Sequence, residues 1–216
     1  MNLQKQQFQG EATPSISRDF LKQLLYPSIF MSSFERNAFV VGVTGGIACG
    51  KSAVGSILDR MGFVVCDADL IAHDLMRAGR PVFTQVVDVF GKGILAEDGE
   101  ICRSVLAKVV FQNPEQREIL NRIVHPVIRE VLIERIEKYR SERKKAAVLI
   151  PLLFESGMQD LGWDAVVCVS SAEADVLQRL EQRGLSHKES MNRIRSQMPL
   201  AEKEARADYV TRNFGT

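Results

Sequence analysis

The sequence has few of the residues that disulfide scaffolds and structural metal sites require. Its 216 residues include only four cysteines and three histidines. Cys49, Cys66, Cys102 and Cys168 show neither paired spacing nor the spacing of zinc ligands, which argues against both kinds of site. Unpaired cysteines suit a reducing compartment, and we therefore expect a cytoplasmic protein.

The sequence also lacks long apolar runs and a strong charge of either sign. No apolar stretch approaches the length of a membrane span, and the N-terminus lacks the layout of a signal peptide. The 28 Lys and Arg residues nearly balance the 27 Asp and Glu residues, leaving a formal net charge of +1. We expect a soluble protein without a nucleic-acid or membrane partner, because general binders of those surfaces carry excess positive charge.

The length suits one α/β domain preceded by a short appendage. Residues 1–37 are rich in Gln, Ser and mixed charge, with apolar residues at helical spacing between Ile16 and Leu25. This segment could dock on the body or bind a partner. It could also reflect a translation start assigned too early, since Met31 lies just before the first predicted strand. We assign the main domain to residues 38–216.

A glycine-rich segment after the first apolar run matches the pattern G-x-x-x-x-G-K-S/T. With Ala53 at the start of the next helix, it supplies our candidate nucleotide-binding residues: Gly45, Gly46, Ile47, Ala48, Cys49, Gly50, Lys51, Ser52 and Ala53. Backbone N–H groups in such a loop turn inward around phosphate, and the helix N-terminus adds positive potential. Lys51 would reach the β- and γ-phosphates, and the Ser52 hydroxyl would ligate Mg²⁺. The alternative is a glycine-rich turn without a ligand.

Strand and helix patterns alternate from Phe39 onward, which predicts a parallel sheet with right-handed crossovers. The five predicted strands cover Phe39–Val43, Phe63–Cys66, Ala146–Ile150, Ala165–Val169 and Tyr209–Thr211. Residues of about 77–140 read as a helical insertion without a convincing strand, and Pro126 should break or restart one of its helices. A helical pair over about 172–198 precedes the last strand.

Two aspartates follow the second predicted strand, at the sheet edge where ligands collect in open parallel sheets. Beside bound MgATP, Asp67 and Asp69 suggest a division of labour in which one orders the metal and the other accepts a proton from an attacking hydroxyl. In the alternative interpretation, Asp69 is simply the N-cap of the next helix.

Arginines mark the helical pair before the last strand. Arg179 and Arg183 share a helical face, and Arg193 and Arg195 follow a predicted turn. A mobile lid of this kind would bring positive charge over a transferring phosphoryl group and exclude water, although a solvated face paired with nearby glutamates is the alternative. On pattern alone, Arg103 is ambiguous and His125 is more typical of a structural histidine.

Cys49 lies within the glycine-rich loop, beside Lys51. Inward-facing amides and an ammonium favour a thiolate, which predicts sensitivity to thiol reagents. The alternative is a shielded, unreactive thiol.

Several separated blocks, in order, resemble the dephospho-coenzyme A kinase family. They are the loop at Thr44 to Ser52, D-A-D at Asp67 to Asp69, L-N-x-x-x-H-P at Leu120 to Pro126, P-L-L-F-E at Pro151 to Glu155, and A-D-x-x-x-x-N at Ala207 to Asn213. The resemblance implies a three-layer P-loop kinase fold with a five-stranded parallel sheet, a helical substrate-binding insertion and an Arg-bearing lid. It also implies ATP- and Mg²⁺-dependent phosphorylation of the ribose 3′-hydroxyl of dephospho-coenzyme A, by a monomer or small homo-oligomer.

The same resemblance assigns roles to individual residues. Lys51, Asp69 and Arg183 would be catalytic, with Asp69 as the base and Arg183 in the lid. Asp69, Arg103 and His125 would bind the substrate, Asn213 the nucleotide, and Ser52 and Asp67 the metal.

Two other functions fit the motifs. A kinase for a different small-molecule hydroxyl would use the same parts, and substrate screening would distinguish it. A nucleotide sensor or switch without turnover is the alternative outside enzymology, although the guanine-reading N-K-x-D of GTPases is absent.

Overall fold

The computed structural model describes residues 38–213, apart from the side chain of Gln112. The predicted appendage at 1–37 and its helix between Ile16 and Leu25 lie outside the described residues. No helix in the described part of the chain is long and apolar enough to span a bilayer.

Five parallel strands form one sheet at the centre of the fold. They are β1 (Phe39–Gly45), β2 (Val64–Asp67), β3 (Lys145–Leu149), β4 (Ala165–Ser170) and β5 (Tyr209–Arg212). Their order across the sheet is β2-β3-β1-β4-β5, and every neighbouring pair is parallel. The sequence-based prediction of a five-stranded parallel sheet is confirmed, with strand ends shifted by one or two residues.

Helices connect the strands and cover the sheet. Those in the described residues are α1 (Lys51–Arg60), α2 (Ala68–Leu75), α3 (Pro81–Phe90), α4 (Arg103–Gln112), α5 (Pro114–Ser141), α6 (Glu173–Gln182), α7 (His187–Arg195) and α8 (Leu200–Arg206). Short 3₁₀ turns cover Lys92–Ile94 and Met158–Asp160. The predicted lid corresponds to α6 and α7, whereas α8 had no counterpart in the sequence-based prediction.

Successive residues of β1 point to opposite faces of the sheet and enter two separate apolar clusters. Val40 packs in the cluster that contains Leu132 and Ile136 of α5. Val41 and Val43 pack in the other cluster, which α1 and α6 cover through Ile57, Leu58, Val176 and Leu180. Helices therefore lie on both faces, and the central strand is buried throughout, as the near-continuous apolar sequence of β1 requires.

The longest helix, α5, runs through Pro126 without interruption, so the predicted break was wrong. Proline has no N–H to donate to the carbonyl four residues earlier, which in a helix interior costs about 3 kcal/mol. Burial of apolar side chains on both sides of the proline offsets this cost; they are Val124, Ile128, Leu132, Ile136 and Tyr139.

The predicted helical insertion contains α3, α4 and α5. Its described residues include no strand, and one isolated antiparallel bridge joins Leu95 to Ile101. In this insertion α3 and α5 contact α2, α4 packs on α5, and α5 contacts β1. Apolar side chains of all three helices join the cluster on the face of the sheet to which Val40 points, so the insertion covers that face.

Candidate active site

The loop between β1 and α1 can form only with glycine at two positions. Gly45 has a φ of 144°, and a Cβ there would lie 2.1 Å from the carbonyl oxygen of Val169. Gly50, the N-cap of α1, has a φ of 101°, and its Cβ would lie 2.4 Å from the Asn213 side chain. The motif glycines are therefore required by backbone conformation and by close neighbours.

The ammonium of Lys51 lies against the backbone of this loop. Its Nζ donates hydrogen bonds to the carbonyl oxygens of Gly45, at 3.0 Å, and Gly46, at 2.7 Å. Burial lowers the pKa of Lys51 to about 8. The positive charge is thus held at the loop, in an environment that favours an anionic partner.

Asp67 and Asp69 have different roles in the local fold. Asp67 ends β2 and is the N-cap of α2, because its Oδ1 accepts a hydrogen bond of 2.8 Å from the backbone N–H of Asp69. The interpretation of Asp69 as the cap was therefore wrong. Asp69 lies in the first turn, with its carboxylate available for another task.

Three neighbouring charged groups affect the pKa of Asp69. Asp69 is exposed as a residue, but surrounding protein atoms and, next, repulsion from Asp67 raise the pKa of its carboxyl, whereas Lys51 and Arg103 act to lower it. Because charges act strongly only at short range in water, Lys51, Arg103 and Asp67 are all near the Asp69 carboxylate. Arg103 is the first residue of α4, so the insertion contributes a cation near this aspartate.

His125 lies on α5, half-buried, and burial lowers its pKa. It borders an open cleft of about 400 Å³ between α5 and the segment after β3, together with Glu118, Asn121, Arg122, Pro126, Arg129, Glu155 and Ser156. The cleft is lined by two arginines, each paired with a carboxylate, by His125 and by polar and acidic groups. It is therefore suited to a polar portion of a ligand.

The two arginines of α6 are placed differently. Arg179 donates hydrogen bonds to the carbonyl of Ala48 in the loop, at 2.9 Å, and to the Ser171 hydroxyl, at 3.1 Å. Arg183 is exposed at the C-cap of α6. Arg179 therefore supports the glycine-rich loop, whereas the Arg183 side chain extends from the end of the helix.

Asn213 joins the end of β5 to the glycine-rich loop. Its Nδ2 donates a hydrogen bond of 3.1 Å to the carbonyl of Cys49, and its own carbonyl accepts one of 2.7 Å from Ser171. The predicted nucleotide-binding asparagine thus contacts the loop that would hold the phosphates.

Cys49 is 1% exposed, and burial raises the pKa of its thiol despite the nearby Lys51. The expected thiolate was therefore wrong, because loss of solvation outweighs the favourable charges. The structure supports the alternative of a shielded thiol.

A buried lysine was missed by the sequence-based interpretation. The Lys203 side chain is fully buried, and its ammonium pairs with Glu155 at 2.7 Å and donates to the carbonyl of Pro151 at 2.9 Å. Gln197, also missed, accepts a hydrogen bond of 3.0 Å from the backbone N–H of Ile47. The P-L-L-F-E block drew attention to Glu155 in the sequence. Nothing in the short, charged sequence of α8 distinguishes Lys203 from a surface lysine.

The residues present fit a magnesium ion held partly by nucleotide phosphates. Ser52 offers a hydroxyl at the start of α1, and Asp67 retains acceptor capacity beyond its capping hydrogen bond, because a carboxylate has two oxygens. No group of three or more His, Cys, Asp and Glu ligands occurs among residues 38–213. One or two protein oxygens are the usual number for Mg²⁺ bound with substrate phosphates.

Comparison with known proteins identifies the family. The family model described as dephospho-CoA kinase matches residues 39–216. The chain belongs to the dephospho-CoA kinase family. The family assignment confirms the sequence-based prediction of an ATP-dependent kinase acting on dephospho-coenzyme A in coenzyme A biosynthesis.

Curated relatives and solved structures agree with this assignment. The dephospho-CoA kinases of Bacillus cereus and Carboxydothermus hydrogenoformans are 46% and 45% identical to this chain over 179 residues, which are 82% of the chain and 89% and 86% of the relatives. The structure of Campylobacter jejuni dephospho-CoA kinase superposes with a TM-score of 0.60 at 33% identity, covering 82% of this chain and 89% of that one. A Thermus thermophilus protein gives a TM-score of 0.69 at 31% identity, covering 83% and 90%.

Proposed function

We propose that this chain transfers the terminal phosphoryl group of ATP to the ribose 3′-hydroxyl of dephospho-coenzyme A, with Asp69 as the general base. One observation carries the assignment of roles: Asp67 takes the capping role, so the carboxylate of Asp69 remains available near Arg103 and near Lys51 of the glycine-rich loop. A base, a phosphate-binding cation and a cation from the insertion are the groups that such a transfer requires.

The glycine-rich loop binds the nucleotide phosphates. Backbone N–H groups of the loop that have no partner within the protein point to the anion at the N-terminus of α1, and Lys51 exchanges its contacts with the Gly45 and Gly46 carbonyls for phosphate oxygens. Asn213 and Arg179 hold the loop from outside through the Cys49 and Ala48 carbonyls. The loop is therefore fixed before the nucleotide arrives.

Ser52 and Asp67 would hold the magnesium ion. When bound, Mg²⁺ neutralises charge on the phosphate oxygens and orients them for transfer. The capping hydrogen bond from the Asp69 N–H to Asp67 fixes the Asp67 carboxylate at the end of β2.

Asp69 receives the proton of the ribose hydroxyl as the new P–O bond forms and the bond to the departing ADP breaks. Its raised pKa makes the carboxylate a stronger base than an ordinary aspartate, which suits this task. Arg103 lies close enough to influence Asp69 and binds the acceptor beside it. His125 binds another part of the acceptor from the cleft that it borders.

Arg183 acts from the lid formed by α6 and α7. Its exposed position at the end of α6 allows it to approach the transferring group when the helical pair closes. A cation there stabilises charge on the phosphoryl oxygens, and closure excludes water that would otherwise hydrolyse ATP.

The decisive experiment is incubation with ATP, Mg²⁺ and dephospho-coenzyme A, followed by mass spectrometry and fragmentation of the product. We expect a single added phosphate on the ribose 3′-oxygen, and little transfer to adenosine monophosphate. Faster phosphorylation of another hydroxyl would favour the alternative small-molecule kinase. Binding of both ligands without turnover would favour a sensor. The matched control is Asp69→Asn, which keeps the shape of the side chain without its basicity.

The same proposal places the enzyme in the cytoplasm, as a monomer or small homo-oligomer without a nucleic-acid or membrane partner. Its balanced charge and unpaired cysteines support this setting. Size-exclusion chromatography with light scattering and fractionation of the source cells test these points.

A further inference from the structure

We propose that Lys203 and Glu155 are positioning residues that fix the end of the lid against the glycine-rich loop. Hydrogen bonds and two short stretches of backbone connect them in a closed ring. This inference rests on the proposed role of α6 and α7 as a lid. It assigns a task to Lys203, which the phosphoryl-transfer mechanism leaves unused, and to Glu155, which otherwise only borders the cleft beside His125.

The ring starts at the buried ammonium of Lys203. The side chain is 0% exposed, and its Nζ contacts Glu155 at 2.7 Å and the Pro151 carbonyl at 2.9 Å. A fully buried charge is retained only when its partners are well placed, since desolvation otherwise opposes burial. Both partners belong to the segment that follows β3, so α8 is fixed to that segment.

The Pro151 carbonyl continues the ring to the glycine-rich loop. It accepts a second hydrogen bond, of 3.3 Å, from the hydroxyl of Thr44. Thr44 directly precedes Gly45, whose carbonyl accepts a hydrogen bond from Lys51. Lys203 also acts, after burial, to lower the pKa of Lys51, in agreement with this proximity.

The Glu155 carboxylate continues the ring in the other direction, to the end of the lid. The oxygen that pairs with Lys203 also accepts a hydrogen bond of 3.0 Å from the backbone N–H of Met198. The preceding residue, Gln197, accepts one of 3.0 Å from the N–H of Ile47 in the loop. Two consecutive residues after α7 are therefore held, one by Glu155 and one by the glycine-rich loop itself.

This arrangement makes the segment at Gln197 and Met198 a fixed end for α7, the helix of the lid that Arg179 does not hold to the loop. Pro199 follows immediately as the N-cap of α8, and its ring restricts the backbone there. If the fixed end loosens, the lid still carries its arginines but closes out of register, and water enters the site. The expected defect is ATP hydrolysis without transfer, in addition to slower transfer.

The test measures ADP released per molecule of phosphorylated dephospho-coenzyme A. Gln197→Ala removes the hydrogen bond to Ile47, and Glu155→Gln removes the charge while keeping acceptor and size. We expect each variant to lower kcat on the order of tenfold and to raise the ratio of ADP to product above the wild-type value. Gln159→Ala, an exposed glutamine outside the ring, is the matched control and should leave both unchanged.

A double-mutant cycle distinguishes the ring from two separate local effects. If Gln197 and Glu155 act through one connection, the combined variant loses less than the product of the single losses. Multiplicative losses, or a lowered melting temperature with a normal ADP-to-product ratio, would overturn the inference. Lys203→Met adds a third point if it folds, and the two milder variants decide the matter if it does not. Failure of the wild-type enzyme to phosphorylate dephospho-coenzyme A would instead contradict the proposed function.

Discussion

The guanidinium of Arg179 donates a hydrogen bond of 2.9 Å to the carbonyl oxygen of Ala48, joining helix α6 to the glycine-rich loop. The same group contacts the Ser171 hydroxyl at the end of β4. Arg183, one helical turn later, is exposed. Two arginines that lie one helical turn apart thus have different surroundings, and their substitutions should have different effects.

We expect Arg179→Ala to weaken ATP binding more than it slows transfer, because it releases the loop that surrounds the phosphates. A loss of roughly 1.5–3 kcal/mol is typical for a hydrogen bond to a charged group. Arg183→Ala should lower kcat and leave the dissociation constant for ATP nearly unchanged. Calorimetric binding and steady-state kinetics on both variants provide the measurement. The opposite pattern would assign the transfer role to Arg179.

Lys51 supports a prediction about the pH dependence of ATP binding. Its pKa of about 8 means that the free protein loses this charge as the pH rises through 8, whereas bound phosphate holds the proton. Affinity should therefore be highest below pH 8 and fall at higher pH, by up to about tenfold per pH unit.

Titration calorimetry from about pH 7 to about pH 9.5 measures this dependence, and proton uptake on binding should increase as the pH rises through about 8. Lys51→Met should bind ATP weakly, with a flat profile. A wild-type affinity that stays constant across the range would show that the Lys51 charge does not govern binding.

The surroundings of the cysteines predict which thiol reacts. Cys49, Cys66 and Cys168 are buried, whereas Cys102 is partly exposed. A hydrogen-bonding contact with the Ser104 hydroxyl, at 3.3 Å, is the main cause that lowers the pKa of Cys102. A maleimide should therefore label the native protein at Cys102 first, with ATP binding retained.

Peptide mapping after brief labelling identifies the modified residue. Native Cys102→Ser protein should remain unlabelled under the same conditions, and unfolding should expose the other three thiols. Labelling of Cys49 that ATP prevents would restore the reactive-loop hypothesis.

Much of the fold was predictable because its signals are local. The apolar runs of β1, β2, β3 and β4, with a weaker one at β5, predict the five strands, and their alternation with helices predicts a parallel sheet. The path of α5 through Pro126 was not predictable, because burial of its apolar side chains against the sheet outweighs a local penalty. Tertiary packing of this kind leaves no mark within a few residues of the proline.

The placement of Lys51 in the glycine-rich loop and of Asp67 at the end of β2 was predictable, because both residues belong to short sequence motifs. Distinguishing Arg179 from Arg183 required the position of α6 relative to the loop. The protonation of Cys49 depended on a balance between nearby charges and burial, and only the folded structure shows that burial prevails. The burial of Lys203 was likewise not predictable from the local sequence. Lysines are almost never fully buried without a partner, and the partner here, Glu155, lies 48 residues away in the sequence.

The two aspartates allow the sharpest separation of roles. Asp69→Asn removes the proposed proton acceptor but keeps a similar shape, so kcat should fall by roughly a hundred- to ten-thousandfold with ATP affinity nearly unchanged. Asp67→Asn should keep the cap of α2, because asparagine caps helices as well as aspartate does. It should instead raise the Mg²⁺ concentration needed for half-maximal activity.

Melting temperatures, ATP affinity and Mg²⁺ titrations of kcat on the two variants complete the comparison. The raised pKa of Asp69 predicts a further difference between the two enzymes. Because protonation of the base stops transfer, the wild-type rate should begin to fall, as the pH is lowered, at a higher pH than it would with an ordinary aspartate. The residual rate of Asp69→Asn should lack this acid limb. A folded Asp69→Asn enzyme with normal turnover would show that the proton leaves by another route, and the assignment of Asp69 as the base would be wrong.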